Sequence, residues 1–445
     1  MKRIINILIL LCCIASLSSC GNSTEERSRV LKIYNWADYI DEDVLAEFPD
    51  WYKQQTGEDL RIIYQVFDIN EIMLTKIERG HEDFDVVCPS EYIIERMLRK
   101  DLLLPIDRNF GHTPDYIPNV SPYIRHELNK TSQPERQTED YAVPYMWGTA
   151  GILFNKKFIT AEEAGTWDIL WDSKNRGKIL MKDSYRDAYG TAIIYAHARE
   201  LADSTVTVEQ LMNDNSPQAI ALAEQRLKEM KPNIAGWEAD FGKEMMTKNK
   251  AWINFTWSGD AVWAIEEADA VGVELDYTVP CEGSNIWYDG WVIPRYRPQR
   301  EGGKLFHQLP LPAFRGTAQH GCHRLRQRRS HTGNHGGQDR YHARRALRPQ
   351  LLLRPPAGAD SLQIDPVQYP DRRVVERCAM IRDFGDRTEL VLEMWSRVKG
   401  DNLNTGIVLL IFAVFGLLFI WLVYAKIRKY KQKRRHRLRR KRKRG

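Results

Sequence analysis

Cysteine is scarce, 7 in 445 residues. No two cysteines sit at metal-ligand spacing, and no disulfide is assigned. The chain also lacks a nucleophile motif, a His/Glu metal cluster and a glycine loop able to cradle a phosphate. Catalysis and a cofactor are therefore not expected. Acid is missing from two stretches. From Lys426 to Arg444 there are 14 Lys and Arg and no Asp or Glu, and from Phe306 to Pro355 there are 10 Arg against Asp339 alone. With a net charge of only +6 overall, the remainder is strongly acidic. An acidic surface favours the approach of cations and says nothing about fold. A length of 445 residues exceeds what one core usually fills and points to two domains or lobes.

Apolar runs mark the two ends. Lys2 and Arg3 precede an apolar run from Ile4 to Leu17, which leads into Leu17-Ser18-Ser19-Cys20-Gly21. This resembles a bacterial lipoprotein signal, with residues 1–19 removed and Cys20 carrying the lipid as the first residue of a tether over 20–29. Cys12 and Cys13 leave with the signal, and Cys88, Cys281, Cys322 and Cys378 remain. Residues 406–425 are apolar and uncharged, at about 1.5 Å per residue just long enough for a transmembrane helix. The basic tail over 426–445 then stays in the cytoplasm and meets anionic membrane lipid. No nucleic acid is expected as a partner. Both anchors put the body of the protein on the periplasmic side of the inner membrane.

Between the anchors the pattern is α/β. Strands are predicted over Val30–Tyr34, Arg61–Val66 and Asp85–Cys88, with helices over Glu42–Thr56 and Ile69–Arg79. In open α/β sheets ligands gather at the carboxyl ends of strands, where Trp36, Asp38, Ser90 and Tyr92 all fall. Tyr34-Asn35-Trp36-Ala37-Asp38-Tyr39 sets an indole, a carboxylate and a phenol together. That is a start on a box for an organic cation, since each aromatic face is worth about 0.5–2 kcal/mol to an ammonium. Trp257-Ser258-Gly259-Asp260 and Trp287-Tyr288-Asp289 repeat the chemistry. Trp167, Trp171, Trp252 and Trp263 lie among apolar neighbours at periodic spacing and are assigned to the core. Trp237 is left between core and site.

These stretches, with Pro89–Tyr92, Ala142–Gly151 and Trp287–Pro294, resemble the extracytoplasmic polyamine-binding proteins of bacterial transporters, the spermidine/putrescine group. The likeness runs from about Val30 to about Phe306 and resumes near Ala357. It implies a two-lobe periplasmic-binding-protein fold (type II) with crossing hinge strands, to which the apolar run adds one C-terminal transmembrane helix. Lobe 1 would span 30–141, returning at about 289–330, and lobe 2 would span 142–288, completed by about 356–402. By the same likeness Trp36, Tyr39, Tyr92, Trp257 and Trp287 are the walls of the site. Asp38, Asp187, Asp260 and Asp289 take the amino groups, and Ser90 is a hydrogen-bond partner. Ser184 stands where some members carry a further carboxylate, and a local pairing of Asp187 with Arg186 is the competing reading of that stretch. The implied function is capture of putrescine or spermidine for an ATP-driven importer whose permease and ATPase are separate chains. A membrane-anchored sensor, or a binder of another small cationic solute, is the alternative on the same fold.

Residues 306–355 break the pattern, holding 6 of the 11 histidines and no helical or strand periodicity. A structureless stretch this long is unusual inside a compact domain. One choice of codons for His320–Arg328, read one base later, gives Met-Asp-Ala-Ile-Gly-Tyr-Val-Ser, a globular sequence resembling what the family carries there. The segment is thus expected to be out of frame, with the slip near Phe306 and its compensation near Pro355.

Overall fold

A computed structural model describes residues 27, 29–37, 39–106, 120–296, 346–347, 362–363, 365–400, 412–426 and 428. The lipobox with Cys20, Asp38, and residues 306–345 and 348–355 of the basic segment, Cys322 included, lie outside the described residues, as do 406–411 of the apolar run and all of the basic tail beyond 426 except 428.

The first strands and helices form where hydrophobic period and caps place them. β1 (Val30–Trp36) and β2 (Arg61–Phe67) pair in parallel around α1 (Glu42–Thr56). Asp41 caps that helix by accepting from the Asp43 amide, and Gly57, at φ 76°, ends it in the left-handed turn that glycine adopts without strain. α2 (Asn70–Glu78) leads to β3 (Val86–Val87), also parallel to β1. Then come α3 (Glu91–Arg99), β4 (Leu103–Leu104) and the long β5 (Ala142–Asn155). The sequence places β1, α1, β2, α2 and β3 to within about two residues, the margin to which strand and helix ends are defined, whereas it does not anticipate α3 and β4.

A second series follows: β6 (Ile179–Lys182), α4 (Tyr185–Ala196), α5 (Val208–Asn213), α6 (Pro217–Met230), β7 (Ile234–Glu238), α7 (Gly242–Thr247), β8 (Ile253–Trp257), α8 (Ser258–Ala270), β9 (Leu275–Thr278) and β10 (Ile286–Pro294). The sheet order is β2-β1-β3-β10-β5-β8-β6-β7, with β9 also on β5. Parallel groups sit at both ends and an antiparallel pair, β10 and β5, lies between them. The first half of β5 pairs with β10 and its second half with β8 and β9. Each half serves a different apolar core. Tyr145 joins Leu31, Ile33, Phe48, Val86 and Trp291, whereas Leu153 joins Leu180, Met246, Ala264 and Leu275.

The stretch following Ala379 is fastened to α3 by charge. Arg96 and Arg99 reach the fully buried Asp383 at 2.7 and 2.5 Å, and Arg382 grips Glu95 through two bonds of 2.7 and 3.0 Å. Bidentate arginine pairs of this kind fix orientation as well as adding energy.

Residues 412–426 are helical, and Phe412, Phe415, Leu417, Phe419 and Ile420 on it are exposed. Among the described residues no helix is long and apolar enough to cross a membrane. Of the four tryptophans assigned to the core, Trp167 is fully buried, Trp171 and Trp252 are half-buried, and Trp263 is 41% exposed. Trp263 is a correction: its apolar neighbours line the inner face of α8, and its own ring lies outside under the Lys243 ammonium, 5.1 Å from the centroid.

Trp167 donates from Nε1 to the Gly283 carbonyl at 2.8 Å and meets Phe255 edge-on at 5.4 Å. Trp167→Ala therefore opens a large cavity and orphans a carbonyl, and is expected to cost about 3–5 kcal/mol in urea denaturation. A loss below about 1 kcal/mol would contradict the packing described.

Candidate ligand-binding site

Four strand ends and the helix starts that follow them converge on one neighbourhood. Trp36 ends β1, Ser90 follows β3 as the cap of α3, Asp187 lies in the first turn of α4 after β6, and Trp257 ends β8. The middle of β10 crosses the same region, bringing Trp287 and Asp289.

Asp289 sits at an irregularity: the β10–β5 register shifts between Asp289 and Gly290, and the Gly290 amide turns to the Pro89 carbonyl at 3.1 Å. Asp289 also makes an isolated bridge to Ser90. The shift buries its carboxyl, 4% exposed, against Tyr39, whose hydroxyl donates to Oδ2 at 2.6 Å. Oδ1 is buried with no hydrogen-bond partner among the described residues. Burial pushes the Asp289 carboxyl up to about 6, with Asp187 adding to the rise and the Tyr39 bond opposing it. Tyr39 is held in turn by Tyr145, which donates to its carbonyl at 2.7 Å and meets its ring edge-on.

Asp187, 5% exposed, has three donors and, among the described residues, no basic partner within ion-pair distance. Ser184 Oγ donates at 2.7 Å, Asn285 Nδ2 at 2.9 Å and Trp257 Nε1 at 3.3 Å. Burial raises its pKa and those donors partly offset the rise. Arg186 does not pair with it: that guanidinium lies 3.4 Å from the Phe384 ring centroid and donates to the Arg382 carbonyl.

The aromatic residues meet around these acids. Trp36 and Trp257 pack edge to face with centroids 6.1 Å apart. Trp287 lies across from Gly148, where a Cβ would come within 2.5 Å of its ring and 2.4 Å of Ser258 Oγ, so only glycine admits the indole there. The Trp36 and Trp287 Nε1 atoms are buried without a partner among the described residues. Tyr92 belongs to a side branch: its hydroxyl donates to Glu71 at 2.8 Å, and Asn70 links it to Ser90 through contacts of 3.2 and 3.0 Å.

Asp260 stands apart from the other two acids. Its carboxylate pairs with Lys182 Nζ at 2.7 Å and is 24% exposed. Sequence reasoning gave no place to Lys182, although a lysine closing the apolar run Ile179-Leu180-Met181 is itself a signal that its charge has a partner. Glu91 was also missed. It is 1% exposed, accepts from the Tyr288 amide at 2.9 Å, and burial pushes its carboxyl well above the ordinary carboxylate range. Cys88, buried, and Cys378, half-buried, are free thiols, as is the exposed Cys281.

Two buried carboxylates lie here without basic partners among the described residues and with indoles beside them, an arrangement chemically able to accept positive charge. The family of bacterial extracellular solute-binding proteins matches residues 50–307. The spermidine/putrescine-binding periplasmic protein of Escherichia coli is 27% identical over 287 residues, 64% of this chain and 74% of that protein. The putrescine-binding periplasmic protein PotF of the same organism is 28% identical over 276 residues, 60% of this chain and 69% of that protein. In structure, a spermidine/putrescine ABC transporter protein from Listeria monocytogenes superposes with a TM-score of 0.61 at 25% identity, covering 83% of this chain and 99% of that one.

The raised pKa of Asp289 has a consequence for stability. The folded carboxyl binds its proton below about 6 and the unfolded one below about 3.8, so the native state holds more protons between these values and stability falls as pH rises through the window. Asp289→Asn removes that penalty. In the absence of ligand the variant is expected to be more stable than the parent by up to about 3 kcal/mol at pH 8, with the difference closing toward pH 4. Equal stability of the two proteins at pH 8 by urea denaturation would show that the charge is not strained.

Proposed function

The chain belongs to the bacterial extracellular solute-binding proteins, and from that premise we propose that it captures polyamines, putrescine or spermidine, for an ABC importer. The family's task is binding without chemistry. The observation that carries the ligand class is the pair of buried acids, Asp187 and Asp289, beside Trp36, Trp257 and Trp287. Each buried charge costs several kcal/mol until a cation meets it, and an ammonium with an apolar stem supplies both the charge and the surface for the rings. Tyr39 orients Asp289, and Ser90 and Tyr92 form the adjoining wall. Asp38 is the further acid of the same stretch.

The lobes divide as 30–141 and 142–288, with β5 and β10 crossing between them and the ligand closed in the cleft. The likeness to proteins named as periplasmic supports the same location here. Cys20 carries a lipid, 406–425 is a membrane helix supported by the apolar surface of 412–426, and the basic tail meets lipid headgroups. Permease and ATPase subunits are the partners. The segment 306–355 is read one base out of frame, a reading supported by the family match stopping at 307. Resequencing of the DNA for residues 302–360 tests it: an unaltered reading would make the basic insertion real.

Titration calorimetry with putrescine and spermidine is the direct test of ligand class. Binding in the micromolar range or tighter is expected, and Asp289→Asn should weaken it by about 2–5 kcal/mol, the cost of truncating one partner of a buried charge pair. Affinity should also fall with added salt, though less steeply than for an exposed encounter. No binding of either amine, together with binding of another cation, would move the chain to the alternative of a sensor or a different solute.

A further inference from the structure

The sequence presents Trp257 and Asp260 as one of three boxes for an ammonium, and in the structure that box is full. Lys182 Nζ lies 4.5 Å from the centroid of the Trp257 ring, 2.7 Å from Asp260 Oδ2, 3.1 Å from Glu238 Oε1 and 2.7 Å from the Ala239 carbonyl. Three oxygens and an aromatic face complete what a primary ammonium can use, with three donors and one charge. The lysine is 1% exposed. Burial alone would depress its pKa, but Asp260 and Glu238 more than reverse this, so the group is charged at neutral pH. Trp257 therefore has a resident cation on its ring while its Nε1 edge is committed to Asp187.

Resting on the polyamine reading above, we infer that Lys182 is an internal surrogate for a third amine, which makes the site selective for linear diamines over triamines. Of the acids that the sequence assigns to the site and the structure describes, Asp187 and Asp289 are the two left without a cation, one for each end of a diamine, whereas Asp260 is paired with Lys182. A triamine entering the same site would carry a third ammonium toward Asp260 and meet the positive charge of Lys182. Repulsion of the wrong ligand by a fixed like charge is a source of specificity alongside attraction for the right one. The device needs no motion, because β6 and β8 are paired neighbours and hold Lys182 at the end of one strand and Trp257 at the end of the other.

The test is calorimetric titration of the full chain with putrescine and spermidine, and of Lys182→Met with the same two amines. The unmodified chain should bind putrescine at least about tenfold more tightly than spermidine, and Lys182→Met should shift the ratio of the two dissociation constants by about tenfold or more toward spermidine. Should Lys182→Met fail to fold because Glu238 is left bare, the double variant Lys182→Met/Glu238→Gln keeps only the Asp260 charge, and the same shift is expected. Equal or tighter spermidine binding by the unmodified chain would overturn the inference and leave the polyamine reading intact. So would variants that bind both amines with an unchanged ratio. Failure of the unmodified chain to bind either amine would overturn the polyamine reading and this inference with it.

Discussion

Asp187 and Asp289 are carboxylates kept from water without a cation among the described residues, and much of the surrounding architecture serves to hold them there. A buried unpaired charge costs several kcal/mol, which a marginally stable domain tolerates only if the neighbouring structure is firm. The firmness comes from both sides of β5. One core holds Tyr145, which fixes the backbone of Tyr39 and through it the carboxyl of Asp289. On the other side, β6 and β8 end at Lys182 and Trp257, and the start of α4 brings Ser184 and Asp187 to the Trp257 edge. The two acids are thus an electrostatic demand that positive charge would meet.

A second set of charges does the opposite task. Glu95, Arg96, Arg99, Arg382 and Asp383 are paired with one another and leave no demand for an outside ion. They tie the stretch following Ala379 to α3, whose first residue follows Ser90 of the site. Satisfied pairs hold the backbone in place, whereas the unsatisfied acids are left able to take a cation.

Much of this was legible in the sequence, for reasons that differ from residue to residue. The strand and helix pattern from Val30 to Val87 followed from hydrophobic period and local capping, which are properties of short stretches. Trp36, Trp257, Trp287 and Asp289 could be singled out because aromatic and acidic residues stand within a few positions of one another, at the ends of β1 and β8 and within β10. The fate of Asp260 could not be seen, because its partner Lys182 is 78 positions away and meets it only through the parallel pairing of β6 with β8. Asn285 on Asp187 is hidden for the same reason. Trp263 shows the limit of neighbour-based reasoning: apolar residues around it describe the face of α8 turned inward and not its own side.

The edge-to-face contact of Trp36 with Trp257 joins the end of a strand from one parallel group to the end of a strand from the other. Two indoles 6.1 Å apart are coupled chromophores, and the Lys182 ammonium over one of them biases its excited state. Among the 13 tryptophans of the chain, this pair is read by difference: the near-ultraviolet circular dichroism lost on replacing Trp36 by phenylalanine reports the spacing of the two strand ends without any attached label.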